Sequence, residues 1–76
     1  MLRKEWLRRR FGLTRREATV ATMLADGLSY AEVAALCEVS YHTIHAHVKA
    51  IHEKTGARTT SRLQAMIHAA PGKEPL

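Results

Sequence analysis

The stretch Ser29-Tyr30-Ala31-Glu32-Val33-Ala34-Ala35-Leu36-Cys37, followed by Glu38-Val39 and then Ser40-Tyr41-His42-Thr43-Ile44-His45-Ala46-His47-Val48, organises the rest of the chain. Ser29 and Glu32 stand three apart in a capping box. The serine hydroxyl accepts from the amide three residues on, and the glutamate carboxylate accepts from the serine amide. Leu28 and Val33 bracket that start as a hydrophobic staple. Ser40 offers a second start, stapled by Val39 and Ile44, with Thr43 where the box would place a glutamate. Val33, Ala34 and Cys37 share one helical face, and Ile44, Val48 and Ile51 recur at i, i+4 and i+7. The spacing predicts helices over Tyr30–Cys37 and Tyr41–Thr55, joined by the short turn Glu38-Val39. Ala34 is small enough to let the second helix cross close over the first.

The same signals extend in both directions. Thr14-Arg15-Arg16-Glu17 is another capping box, with Leu13 and Ala18 as its staple. It predicts a helix from Arg15 to Asp26, with Val20 and Leu24 inward and Gly27 as the residue that stops it. Gly56 ends the Tyr41–Thr55 helix in the same way. A further helix starts after Thr59 or Thr60 and ends before Pro71, with Leu63, Met66, Ile67 and Ala70 on its apolar side. Residues 71–76 read as a flexible tail. Residues 1–12 read as a basic extension or linker, in which Leu2, Trp6 and Leu7 form one or two amphipathic turns that either pack beside the first or last helix of the domain or link it to a regulatory domain, and Phe11 covers the edge of a small core. No apolar alternation of period two occurs. The expected architecture is an all-α, four-helix domain over residues 13–70, with a helix-turn-helix formed by its second and third helices. A plain helical hairpin would account for the caps but not for the distribution of charge.

Seventy-six residues allow one domain. A chain this short buries only about 60% of its unfolded surface, which argues against an enzyme with a deep pocket. The net charge is +5 and the pI is near 10.0, which points to a polyanionic partner. From Glu17 through Val48 there is no Lys or Arg. Positive charge sits in an N-terminal block, Arg3, Lys4, Arg8, Arg9, Arg10, Arg15 and Arg16, and in a second block, Lys49, Lys54, Arg58 and Arg62. Cys37 is the single cysteine, so no intramolecular disulfide forms, which fits a reducing compartment. No apolar run approaches the ~20 residues that span a bilayer, and no apolar h-region follows the basic N-terminus. Five histidines invite a metal hypothesis. The spacing of Cys37, His42 and His45 matches no zinc pattern, and Cys37 is expected inward while His45 is expected outward. Neither a metal nor a cofactor is expected. No nucleophile with its base, carboxylate pair or phosphate-cradling glycine loop is legible, so the reading is not an enzyme.

Taken together, these motifs resemble the LuxR-type (GerE-like) helix-turn-helix family. Leu13-Thr14-Arg15-Arg16-Glu17 corresponds to its Leu-Thr-Pro-Arg-Glu opening. Ala25-Asp26-Gly27 and Ser29-Tyr30-Ala31-Glu32-Val33-Ala34 follow its Ala-x-Gly and Ser-x-x-Glu-Ile-Ala. Ser40-Tyr41-His42-Thr43-Ile44-His45-Ala46-His47 follows its Ser-x-x-Thr-Val-x-x-His, and Ile51-His52-Glu53-Lys54-Thr55-Gly56-Ala57 its Ile-x-x-Lys-Leu-Gly-Val. The match runs without gaps from Leu13 to about Ala65. It departs where Arg15 replaces the family's Pro, Cys37 a Leu, Glu38 a Gly, Thr55 a Leu and Thr60 an Arg. A glutamate at position 38 is mildly unfavourable if that residue needs positive φ.

The resemblance implies a cytoplasmic, nucleoid-associated bacterial regulator that binds double-stranded DNA and regulates transcription, with contact to RNA polymerase and a weak homodimer through the last helix. With Ile44, Val48 and Ile51 inward, the outer stripe of their helix holds Tyr41, His42, His45, Ala46, Lys49 and His52. The resemblance implies that His45, Ala46 and Lys49 face base edges. A lysine donates to guanine O6 and N7, and an alanine touches the thymine methyl. Tyr41, His42 and Thr43 lie at the helix N-terminus, where free amides and the dipole favour a phosphate. Lys54, Arg58 and Arg15 or Arg16 are further phosphate contacts, and Leu63, Met66 and Ile67 are the dimer residues, with the core as their competing place. His47 matches the family's own histidine and is expected to be structural. Two rivals remain. One is a sigma-factor-like promoter-binding domain, which shares the Ser29–Ala34 pattern. The other, of a different class, is a protein-interaction module on the same fold.

Overall fold

The computed structural model of the chain describes residues 3–69. Leu2, Ala70 and the expected tail over 71–76 lie outside the described residues. Five helices follow one another: α1 (Arg3–Phe11), α2 (Arg15–Ala25), α3 (Tyr30–Cys37), α4 (Tyr41–Thr55) and α5 (Thr60–His68). Among the described residues there is no strand.

The helix starts form for the reasons the sequence gives. Thr14 Oγ1 accepts from the Glu17 amide at 3.1 Å, and Glu17 Oε1 accepts from the Thr14 amide at 2.9 Å. Ser29 and Glu32 repeat the exchange at 3.1 and 2.8 Å. Ser40 Oγ accepts from the Thr43 amide at 3.0 Å, and Thr59 Oγ1 from the Arg62 amide at 3.1 Å. Each cap satisfies a donor that the first turn leaves unpaired.

The expected count of four helices is corrected to five. The amphipathic turns of residues 3–11 form a full helix, which packs on α2. The cause is the four-residue spacing of Arg3, Leu7 and Phe11, which lines one face. Leu7 is fully buried, and Trp6 and Phe11 pack against the core at its edge. Trp6 and Phe11 meet edge to face, with ring centroids 5.6 Å apart. Arg3 reaches the far end of α2, its guanidinium donating to both carboxylate oxygens of Asp26 at 3.3 and 3.2 Å.

α2 is the central element, in contact with each of the other four helices. Its Ala18, Val20, Ala21, Leu24 and Ala25 are buried, as are Val33 and Ala34 of α3, Ile44, Val48 and Ile51 of α4, and Leu63 and Ile67 of α5. The turn between α3 and α4 closes on Glu38, at φ 57 and ψ 43. The Glu38 and Val39 amides there donate to Ala35 and Ala34 carbonyls at 3.2 and 3.1 Å. This left-handed residue reverses the chain so that α4 crosses α3, leaving one face of α4 uncovered.

Candidate nucleic-acid interface

The uncovered face belongs to the longest helix. Ile44, Val48 and Ile51 are buried, so the residues about half a turn away, His42, His45, Ala46, Lys49 and Glu53, point to solvent and are exposed. Tyr41 is 54% exposed at the helix start. Thr43 is half-buried, and its hydroxyl shares a hydrogen bond of 2.9 Å with Ser40 Oγ. The amides of Tyr41 and His42 are those that any helix leaves without an intrahelical partner. His47 is half-buried.

Three rings lie together at the start of this face. His45 meets Tyr41 edge to face, with centroids 4.7 Å apart, and meets Tyr30 of α3 in the same way at 4.9 Å. Tyr30 and Tyr41 are 6.1 Å apart. Such pairs contribute about 0.5–1.5 kcal/mol each, so His45 is held in place against both helices of the motif while remaining exposed. Tyr30 is a site residue that the sequence reading left out. Its signal was available: Tyr30 and Tyr41 each follow a capping serine directly, so both first turns begin with an aromatic ring.

Further along α4, Lys49, His52 and Glu53 share one shallow concavity with Tyr30, His45 and Arg58. The chain beyond Gly56 therefore brings Arg58 beside the exposed face. Glu53 was also missed. Its carboxylate lines the same concavity as Lys49 and Arg58.

Lys54 stands apart from these groups. Its Nζ donates to Glu17 Oε1 at 2.7 Å and to the Gly12 carbonyl at 3.3 Å. Burial works to raise the Glu17 carboxyl, but the bonds from Lys54 and Thr14 outweigh it and hold the group below its ordinary range. Lys54 thus ties the end of α4 to the start of α2. Of the expected dimer residues, Leu63 and Ile67 are fully buried in the chain's own core, because they are the α5 positions that face α2. They occupy the competing place, and only Met66 remains partly accessible.

Among the described residues, no helix is long and apolar enough to cross a membrane, and no cluster of three or more His, Cys, Asp or Glu could hold a metal ion. Cys37 is a buried free thiol, whereas His42 and His45 are exposed.

A short helix, a left-handed turn and a longer helix with a bare polar face define a helix-turn-helix domain. The family model described as bacterial regulatory proteins, luxR family, matches residues 12–69. The chain belongs to that family, and its domain is of the DNA-binding, transcription-regulating kind. No curated protein and no solved structure matched it.

Proposed function

We propose that the domain binds specific sequences of double-stranded DNA by laying α4 in the major groove, and regulates transcription from those sites. The observation that carries this reading is the bare outer face of α4, opposite a fully packed one. The major groove, about 12 Å wide, admits one helix. His45, Ala46 and Lys49 lie toward base edges, with His45 steadied by Tyr30 and Tyr41. Tyr41, His42 and Thr43 lie toward one bordering phosphate strand through the helix start, and Arg58 toward the other. Lys54 acts by holding α4 in register, since its ammonium is already engaged by Glu17 and Gly12. Copies meet through the outer side of α5, around Met66, when adjacent half-sites hold them together.

Selection of duplexes from a random library tests the reading, by returning a preferred sequence and its half-site spacing. Lys49→Ala is expected to weaken binding to that sequence by about 1–3 kcal/mol and to relax preference at one position. Arg58→Ala is expected to weaken all duplexes alike. If Lys49→Ala leaves affinity and preference unchanged, α4 is not the reader.

A further inference from the structure

The charge that makes this protein basic lies largely outside the residues that define its family. Within 12–69, Arg15, Arg16, Lys49, Lys54, Arg58 and Arg62 face Glu17, Asp26, Glu32, Glu38 and Glu53, a balance of only +1. Helix α1 alone carries Arg3, Lys4, Arg8, Arg9 and Arg10 against Glu5, a balance of +4. The density is greatest where α1 hands over to α2. Arg8, Arg9, Arg10, Arg15 and Arg16 fall within nine residues that contain no carboxylate, and all five are exposed. Among the described residues, the ion pairs are Arg3–Asp26 and Lys54–Glu17, so none of these five arginines is neutralised by a carboxylate.

Two physical facts distinguish this patch from an ordinary solvated face. Arg15 and Arg16 occupy the first turn of α2, where a cation opposes the helix dipole. Their placement there costs stability unless an anion approaches. The patch is also attached to the reading helix. Lys54 reaches from the last turn of α4 to the carbonyl of Gly12, the residue between Arg8–Arg10 and Arg15–Arg16. Arg8 and Arg9 line one concavity with Gly12, Leu13 and Glu5, whose carboxylate forms no ion pair with either arginine. Lys54 lies five residues beyond Lys49, about 7.5 Å along the helix axis. The two lysines stand about 140° apart around that axis, so the arginine junction lies to the side of the bare face, beside the C-terminal end of α4.

We infer that the Arg8–Arg16 junction is a second DNA-contacting surface, which grips the phosphate backbone flanking the groove and supplies most of the sequence-independent attraction. This rests on the reading of α4 as the groove element. The fit is one of charge and repeat: guanidinium groups pair bidentately with phosphates, and a duplex presents phosphates in a continuous row.

The test is the salt dependence of binding in the full chain, measured on the selected duplex and on a random one. Each phosphate contact contributes about 0.9 to the slope of log K against log salt. Arg8→Gln/Arg9→Gln is expected to make the slope shallower by about 1–2 on both duplexes and to leave the preference between them intact. Arg15→Gln/Arg16→Gln is expected to do the same while raising the thermal midpoint, a pairing of signs that a purely structural role would not give. Arg62→Gln, on α5, serves as the control and should move the slope less than either. Unchanged slopes in both double variants overturn the inference. So does retention of the parent on phosphatidylserine vesicles with unchanged duplex slopes, which would make the patch a membrane contact. If Lys49→Ala leaves preference untouched while the arginine variants still flatten the slope, the reading of α4 fails and the backbone grip stands.

Discussion

Glu38 holds a left-handed conformation that a side chain disfavours by about 1–2 kcal/mol, and it is the described non-glycine residue with positive φ. Glu38→Gly removes that strain but adds chain entropy to the unfolded state. The expected net gain is about 0.5–1 kcal/mol, read as a rise in the denaturation midpoint. Glu17 makes the opposite point, that one carboxylate does two jobs. It caps α2 through Thr14 and anchors Lys54 of α4. Its folded pKa lies below the ordinary glutamate value, near 4.3, of the unfolded chain. The stabilisation is therefore complete above that ordinary value and is lost as pH falls through the folded one. Glu17→Gln keeps an acceptor for the Thr14 amide but loses the charge. We expect the variant to be less stable than the parent at pH 7, by roughly 1 kcal/mol given the half-open setting of Lys54. The gap should close as urea midpoints are followed down to pH 3. A gap of constant size would detach Lys54 from the effect.

The elements were legible in the sequence to unequal degrees, for physical reasons. The helices α2, α3 and α4 announce themselves because a capping side chain, a staple and a stop are all local, and local interactions are written in consecutive residues. Glu38 could be flagged as awkward for the same reason. The helix α1 was legible only as amphipathic turns, since its start lacks a Ser, Thr, Asp or Asn cap among the described residues and its ties run to another helix, as from Arg3 to Asp26, 23 residues on. The four-residue step from Leu7 to Phe11 was its available signal. Within the candidate site, the face of α4 followed from Ile44, Val48 and Ile51. Tyr30 and the engagement of Lys54 did not, because both depend on how α4 lies against other helices. The burial of α1 yields its own test. Leu7→Ala leaves a cavity between α1 and α2 and should cost about 2–4 kcal/mol in chemical denaturation. Its cost at the groove-reading face should be slight, since Leu7 lies in the core beneath α1 whereas the rings at His45 are held between α3 and α4. Loss of sequence preference in a folded Leu7→Ala chain would contradict that separation.

At the scale of the whole molecule, the core takes Leu63 and Ile67 for itself and leaves Met66 as the partly accessible residue of the three on α5. Stable interfaces bury about 1,200–2,000 Å² in total around an apolar centre, and Met66 is a single half-buried side chain. The free protein is expected to sediment as a monomer at micromolar concentration, and to pair on a duplex carrying two half-sites but not on one carrying a single half-site. A stable dimer without DNA would place the self-contact elsewhere. The helix α1 has one more consequence, for anyone who shortens this protein to its recognisable domain. A fragment that begins at Gly12 would uncover the side of α2 that Leu7, Trp6 and Phe11 now shield, and it would shed four of the five surplus charges that keep copies apart. Such a fragment would be recovered largely as precipitate, and a silent gel-shift lane would then report on its solubility rather than on its taste for DNA.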